Sequence, residues 1–318
     1  KVVASSVAMV YYLSKKFKTT KFSLLPLGVL YAFSAWFIAY FWNIMWLDGM
    51  VFLPLVVLGI EKIVDEKKWK LYTGSLFLLM FSNFFIAFMV CIFSAIYFVM
   101  YGGLAYLEDK RKTKTKWRHY KKIVLTFTLS SLLAASLGAF FLLPMAKSIT
   151  SISASGDEVP TEQYYKFEPK DYLFSHFSGV DSTVFSSDNL NSPNVSCGIL
   201  SMALVSLFLL NSKISIKIKV GYSLLLGFFL LAFFVPQLDF ILHAFHVPND
   251  LPYRYSFLYS FLLIVMCGYS VVHLEKMKST GIYVTYLLIM ASLYVLLVID
   301  WVGLTDEMVL YNMGMLTA

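Results

Sequence analysis

Apolar residues run along this chain in long stretches, and short clusters of lysine and arginine separate them. A helix needs about 20 apolar residues to cross a bilayer. Runs of that length lie at 22–41, 123–147 and 280–300, with shorter ones at 1–13, 49–64, 196–211, 220–236 and 255–273. The stretch 71–106 carries no charge over 36 residues. As one helix it would measure about 54 Å, too long for a hydrocarbon core about 30 Å thick. Basic residues flank it on both sides (Lys67, Lys68, Lys70; Lys110, Arg111, Lys112), which requires an even number of crossings. The pattern therefore predicts a hairpin turning near Ser82-Asn83 and ten membrane segments in total. Six fall in a bundle over 1–147 and four in a bundle over 196–318, with one long polar loop at 148–195 between them.

Composition agrees with this reading. Of the 318 residues 59% are apolar and 14% charged, against about a quarter charged in an ordinary soluble domain. That excludes a soluble globular enzyme and a disordered chain. The net charge of +7 does not indicate a nucleic-acid partner, because the basic residues fall between apolar runs. Cys91, Cys197 and Cys267 lie in or beside apolar runs without metal-ligand spacing and read as buried thiols.

Charge also orients the chain. The loops 14–21, 61–70, 107–122, 211–219 and 273–280 hold 21 of the 26 Lys and Arg residues and 6 of the 19 acids. The opposite set holds Lys1, Lys147, Lys166, Lys170 and Arg254 together with the other 13 acids. The positive-inside rule puts the first set in the cytoplasm. Both chain ends then lie outside, in a multi-pass protein of the bacterial plasma membrane. The abrupt start at Lys1-Val2-Val3 reads as a piece of a longer protein.

The cytoplasmic loops are short and carry no Gly-rich phosphate loop. The basic loop 107–122 reads as a topology determinant beside anionic lipids. The outer side holds most of the candidate chemistry. Its long loop carries Asp157, Glu158, Glu162, Glu168, Asp171, His176, Asp181 and Asp188. Acid/base work by His176 with Asp171 or Asp181 competes there with simple solvation.

Asp48 enters an apolar segment after Trp42-Asn43-Ile44-Met45-Trp46-Leu47. An acid at a membrane edge lines a cavity or pairs with a cation more often than it faces lipid. Trp42 and Trp46 fit interfacial anchors. Arg254 is the one outer arginine and opens a membrane segment. It either pairs with Asp48, Asp239 or Asp250 or grips a lipid-linked phosphate with two parallel hydrogen bonds. His243 and His246 would share a face on a helix, giving a weak metal signal against polar satisfaction or substrate contact. Tyr164, Tyr165, Tyr172, Phe174, Tyr253 and Tyr255 can stack on a sugar.

Three blocks of this sequence resemble the YfhO-type bacterial membrane proteins. The first runs from Tyr31-Ala32-Phe33-Ser34-Ala35-Trp36 through Trp42–Asp48 and Phe52-Leu53-Pro54-Leu55 to Gly59-Ile60-Glu61. The second is Ser192-Pro193-Asn194-Val195-Ser196-Cys197-Gly198-Ile199-Leu200, with Ser196 where the family tends to have Tyr. The third is Leu251-Pro252-Tyr253-Arg254-Tyr255-Ser256-Phe257-Leu258. The resemblance implies an all-α, GT-C-like glycosyltransferase fold. Such an enzyme moves a sugar from a polyprenyl-phosphate carrier to a cell-envelope polymer such as teichoic or lipoteichoic acid, at the extracytoplasmic face. GT-C enzymes usually carry a key acid in the first outer loop, and this chain is expected to start beyond that point.

The function expected from the sequence is therefore an extracytoplasmic glycosyltransferase. Arg254 would hold the donor phosphate. Asp48 would organise the acceptor or the cavity, and act as base only if the missing loop lacks one. Asn43, Trp46, His243, His246, Asp250 and Tyr253 are the other substrate-contact candidates. No cofactor is implied with certainty, and a divalent cation is left open. The partners are the lipid-linked donor, the glycopolymer acceptor and the bilayer. A lipid-linked-glycan flippase and a non-catalytic assembly subunit are the rival readings. The near absence of charge within the segments and of an internal repeat speaks against transport.

Overall fold

The computed structural model describes residues 1–149, 159–162, 167–180, 182, 192–248, 251–298 and 305–317. Its regular structure among these residues is helical, without strands. The helices are α1 Val2–Phe17, α2 Leu25–Ala32, α3 Ala35–Ala39, α4 Asp48–Glu66, α5 Lys70–Ser82, α6 Phe84–Glu108, α7 Thr113–Leu137 and α8 Ala139–Ile149. They continue as α9 Pro169–Phe174, α10 Ile199–Leu210, α11 Ile216–Phe234, α12 Pro236–Leu242, α13 Ser256–His273, α14 Ser279–Val298 and α15 Asp306–Thr317.

Chemistry at the chain breaks sets these boundaries. Asn83 takes an extended backbone, and its side-chain oxygen accepts from the Ile86 amide, capping α6. The chain reverses there, so that Tyr72 on α5 lies near Cys91 on α6. This is the hairpin that the uncharged stretch 71–106 demands. Lys67 ends α4 in the left-handed conformation, and its amide returns to the Ile63 carbonyl. The next helix then packs against α4 at very short range. A Cβ on Gly59 would stand 2.5 Å from the Tyr72 backbone nitrogen. Small residues allow such approach between helices in a membrane.

Among the described residues five helical runs are long and apolar enough to cross a bilayer: Phe22–Ala39, Phe84–Glu108, Ile216–Phe234, Ser256–His273 and Ser279–Val298. Thr113–Leu137 and the helix that begins at Ala139 make a sixth, bent by 74°. Ten segments were expected, and the difference has physical causes. The run 123–147 bends sharply at Gly138. α1 has 16 residues, α5 has 13 and α10 has 12. α4 carries Glu61, Lys62, Asp65 and Glu66 in its last two turns. The expected basic loop 107–122 is also shorter than its charges suggest, because α7 begins at Thr113.

α13 forms the centre of the bundle and is buried on nearly every side. α1, α2, α4, α6, α10 and α11 surround it, sharing one apolar core. α14 and α15 close a smaller cluster with Phe174, Phe177 and Ile199. Large side chains such as Val29, Phe33, Leu224, Leu287 and Leu288 stand half or more exposed on the outside, an exterior suited to lipid rather than water. Cys197 and Cys267 are buried, Cys91 is half-buried, and all three are free thiols.

Candidate functional site

The three sequence blocks, far apart along the chain, meet at one end of the bundle. α3 is the connector. Its Ala35 amide donates to the Ser196 carbonyl at 2.8 Å. Its Trp36 Nε1 donates to the Arg254 carbonyl at 2.7 Å. Tyr40 Oη donates to the Pro252 carbonyl at 3.3 Å. Ser256 Oγ at the start of α13 donates to the Asn194 carbonyl at 3.1 Å. Trp36 and Tyr40 are fully buried, and Phe257 packs on Trp36 with ring centroids 4.9 Å apart.

The segment held this way is under backbone tension. Ala244, Phe245, Leu251 and Tyr253 all take positive φ between 55° and 61°. Each such non-glycine residue costs about 1–3 kcal/mol, and clusters of them mark functional sites.

Arg254 sits half-buried with its guanidinium carbon 5.1 Å from the Trp46 ring centroid. Its Nε donates to the Leu251 carbonyl at 3.1 Å. Trp46 in turn packs on Tyr40 at 5.2 Å. Two expected site residues, Trp46 and Arg254, therefore come together. Tyr253 lies buried beside them in sequence, edge-on to Phe167 and Phe233. Asn43 is half-buried, and its amide donates to the Tyr40 carbonyl at 2.9 Å, closing the turn before Trp46. Asp48 opens α4, where a carboxylate suits the positive helix end. Its two oxygens are taken by Lys1 Nζ and Ser82 Oγ. Asp250 lies outside the described residues.

The histidines behave differently from a helical pair. α12 ends at Leu242, and the left-handed Ala244 and Phe245 turn the chain away. His243 and His246 therefore share no helix face, and the basis for a metal pair is gone. His243 is buried, with Nδ1 3.0 Å from the Asp239 carbonyl and 3.4 Å from Asp239 Oδ1. Tyr255 Oη donates to the same Asp239 Oδ1 at 2.9 Å. Among the described residues, no three His, Cys, Asp or Glu side chains gather as a metal site would need.

His176 packs against Tyr172 and Tyr259. Its Nδ1 is 2.9 Å from the Tyr172 carbonyl and its Nε2 is 3.0 Å from Tyr259 Oη. A carbonyl can only accept, so Nδ1 carries the proton and Nε2 accepts from Tyr259. Burial pushes this imidazole down to about 4. Asp171 does not serve it, being used to cap α9, where its carboxylate accepts from the Glu168 amide at 2.8 Å. Asp157, Glu158, Tyr164, Tyr165, Asp181 and Asp188 lie outside the described residues.

A cleft of about 530 Å³ opens beside this hub. Ser175, Ser178, Ser182, Ser192, Asn194 and Ser196 give it polar lining. Val29, Phe33 and Ile38, each half exposed, form its apolar side. α3 stands between cleft and arginine. Ala35 and Ile38 face the cleft, whereas Trp36 and Tyr40 hold the 252–254 backbone.

At the other end of α4 lies a cluster that charge counting assigns to cytoplasmic loops. Lys16 and Glu61 are both buried and form an ion pair at 2.5 Å. Tyr12 and Tyr97 also donate to Glu61 Oε1, at 2.9 and 2.6 Å. The Lys16 ammonium lies 5.1–5.9 Å from the ring centroids of Tyr12, Tyr101, Tyr222 and Tyr269. A sequence signal for it exists. Tyr12 and Lys16, Glu61 and Asp65, and Tyr97 and Tyr101 are each four apart, and so share helix faces.

Buried helical segments, a lipid-suited exterior and an end cluster of strained loops define a multi-pass helical membrane protein. The chain belongs to the family described as Bacterial membrane protein YfhO, whose match spans residues 1–318. Neither curated proteins nor solved structures give a match to this chain.

Proposed function

We propose that this chain belongs to a glycosyltransferase that works at the extracytoplasmic face with a polyprenyl-phosphate-linked sugar. The observation that carries the reading is the convergence of the three blocks on Arg254, with Trp36 holding its carbonyl and Trp46 under its guanidinium. The charge asymmetry of the loops supports an outer position for this end, where a ten-crossing, GT-C-like topology would open it to lipid-linked substrates. α1, α5 and α10 would then cross as short helices of about 24, 20 and 18 Å.

In the reaction a base takes the proton from an acceptor hydroxyl, and the freed oxygen attacks the anomeric carbon. The bond from that carbon to the phosphate oxygen breaks, and the phosphate leaves with the electron pair. Arg254 binds that phosphate and stabilises its growing charge. Asp48, with both oxygens engaged, organises the end of α4 rather than taking the proton. His243 and Tyr253 support the walls of the site. The acceptor is a cell-envelope glycopolymer of the teichoic or lipoteichoic acid type.

The test uses the full-length protein in detergent with a short-chain polyprenyl-phosphate hexose and a polyol-phosphate acceptor. Acceptor-dependent release of free polyprenyl phosphate is expected, falling at least about tenfold in Arg254→Ala. Absence of release over a panel of sugars, from protein that binds the carrier, would overturn it.

A second reading, a carrier of lipid-linked glycans, draws support from one observation. Ionisable groups inside a membrane bundle often mark a transport path, and the Lys16–Glu61 pair is such a feature. Movement of the glycolipid across vesicles, abolished in Glu61→Gln, would favour it.

A further inference from the structure

The cleft beside α3 differs from the arginine site in its chemistry. Its polar lining comes from five serines and one asparagine, of which Ser175 and Ser196 already donate their hydroxyls to the Tyr172 and His176 carbonyls and can still accept. The described stretches that line it, within 29–38, 175–182 and 192–198, contribute no lysine or arginine side chain. No cation on these segments could therefore neutralise a phosphate there. Ser182 Oγ is buried and lacks a hydrogen-bond partner among the described residues, a state that costs about 1–3 kcal/mol unless a ligand meets it. The other side is apolar and belongs to a run long enough to cross the membrane, with Phe33 and Ile38 more than half exposed. A molecule reaching this cleft from the bilayer would keep its tail against Val29, Phe33 and Ile38 while its head met hydroxyls.

We infer that this cleft binds a membrane lipid whose head is an uncharged, hydroxyl-rich sugar, entering sideways past Phe33 and Ile38. The inference rests on the transferase reading for its biological use, since such a lipid would be the anchor or acceptor end of the reaction. α3 then separates two subsites. A phosphate-bearing carrier lies on the Trp36 and Arg254 side, and a neutral glycolipid on the Ala35 and Ile38 side.

The test uses a monohexosyl diacylglycerol with a photoactivatable group on one acyl chain, added to the full-length protein in lipid nanodiscs. Crosslinks are expected within residues 25–39. Excess alkyl glucoside should remove most of the labelling, and excess polyprenyl phosphate should not. Ile38→Trp, at an exposed position that narrows the mouth, should lower labelling at least fivefold. Ser182→Ala should lower it by a smaller factor, and Arg254→Ala should leave it unchanged. Crosslinks elsewhere, competition by polyprenyl phosphate, or labelling indifferent to Ile38→Trp would overturn the inference. Retained labelling in a protein with no polyprenyl-phosphate release would sink the transferase reading and leave the glycolipid site standing.

Discussion

Lys16 on α1 and Glu61 on α4 meet at 2.5 Å in the packed interior, with Tyr12 and Tyr97 donating to the same carboxylate oxygen. Both charges are out of reach of water, so each depends on the other. Removing one partner of a buried pair leaves an uncompensated charge and costs about 3–5 kcal/mol, whereas replacing both with apolar groups is often neutral. Lys16→Met should therefore lower the melting temperature in detergent sharply. Lys16→Met combined with Glu61→Leu should recover most of the loss. Equal destabilisation in the single and double variants would refute the dependence.

Gly59 gives a second, purely steric prediction. A Cβ there would press on the Tyr72 nitrogen and Cα, both 2.5 Å away. Backbone cannot yield as a flexible side chain does. Gly59→Ala should force α4 and α5 apart at a cost of about 1–3 kcal/mol. Gly74, where nothing stands within 4 Å, is the control. Gly74→Ala should be neutral or slightly stabilising in the same melt, because alanine favours a helix.

His176 predicts a pH response. Its folded value lies near 4, below the ordinary value of 6.5, because a charged imidazole there would lose its water. Between these values the unfolded chain binds a proton that the folded chain refuses. Stability from this group is thus unaffected above about pH 6.5 and falls as pH drops towards 4, by up to about 3 kcal/mol. His176→Gln should flatten the melting temperature between pH 7.5 and 5 relative to the unsubstituted protein. A wild-type profile that does not fall over that range would contradict it.

Trp36→Phe removes the indole N–H that holds the Arg254 carbonyl and keeps most of the packing on Phe257. The loss of one such bond costs stability only about 1 kcal/mol. Loosening the 252–254 backbone misplaces Arg254, and misplacement of about 1 Å can cost around a hundredfold in rate. Turnover in the polyprenyl-phosphate release assay should fall at least about tenfold with a small change in melting temperature.

Arg254→Lys separates charge from shape. Lysine keeps the positive charge but lacks the flat fork that lies over Trp46. The KM for the lipid-linked donor should rise about tenfold or more. Wild-type kinetics in this variant would mean that a point charge suffices.

Much of this arrangement is readable from residues in order. The uncharged run 71–106 requires its break, and Asn83 supplies the cap at the expected place. The three blocks that carry the family resemblance are the ones that meet in space. Other features escape linear reading because they depend on tertiary surroundings. Lys16 and Glu61 look like loop charges until packing removes their water. The run 123–147 looks continuous until the chain bends by 74° after Leu137. His243 and His246 look like a helical pair until two left-handed residues separate them. The cleft is invisible along the chain, since its two sides are about 150 positions apart.

The contact between Trp36 and Arg254 spans 218 positions, and this sets a timetable for the newborn protein. At a synthesis rate of about 5–20 residues per second, Trp36 leaves the ribosome roughly 10–40 s before its partner carbonyl exists. During that interval the outer end of the early helices has no closing segment, and Trp36 and Tyr40 lack the 252–254 backbone that they hold in the finished fold. Surrounding lipid and water are thus the first neighbours of these two side chains, and the late-made backbone has to displace them before the outer end can close.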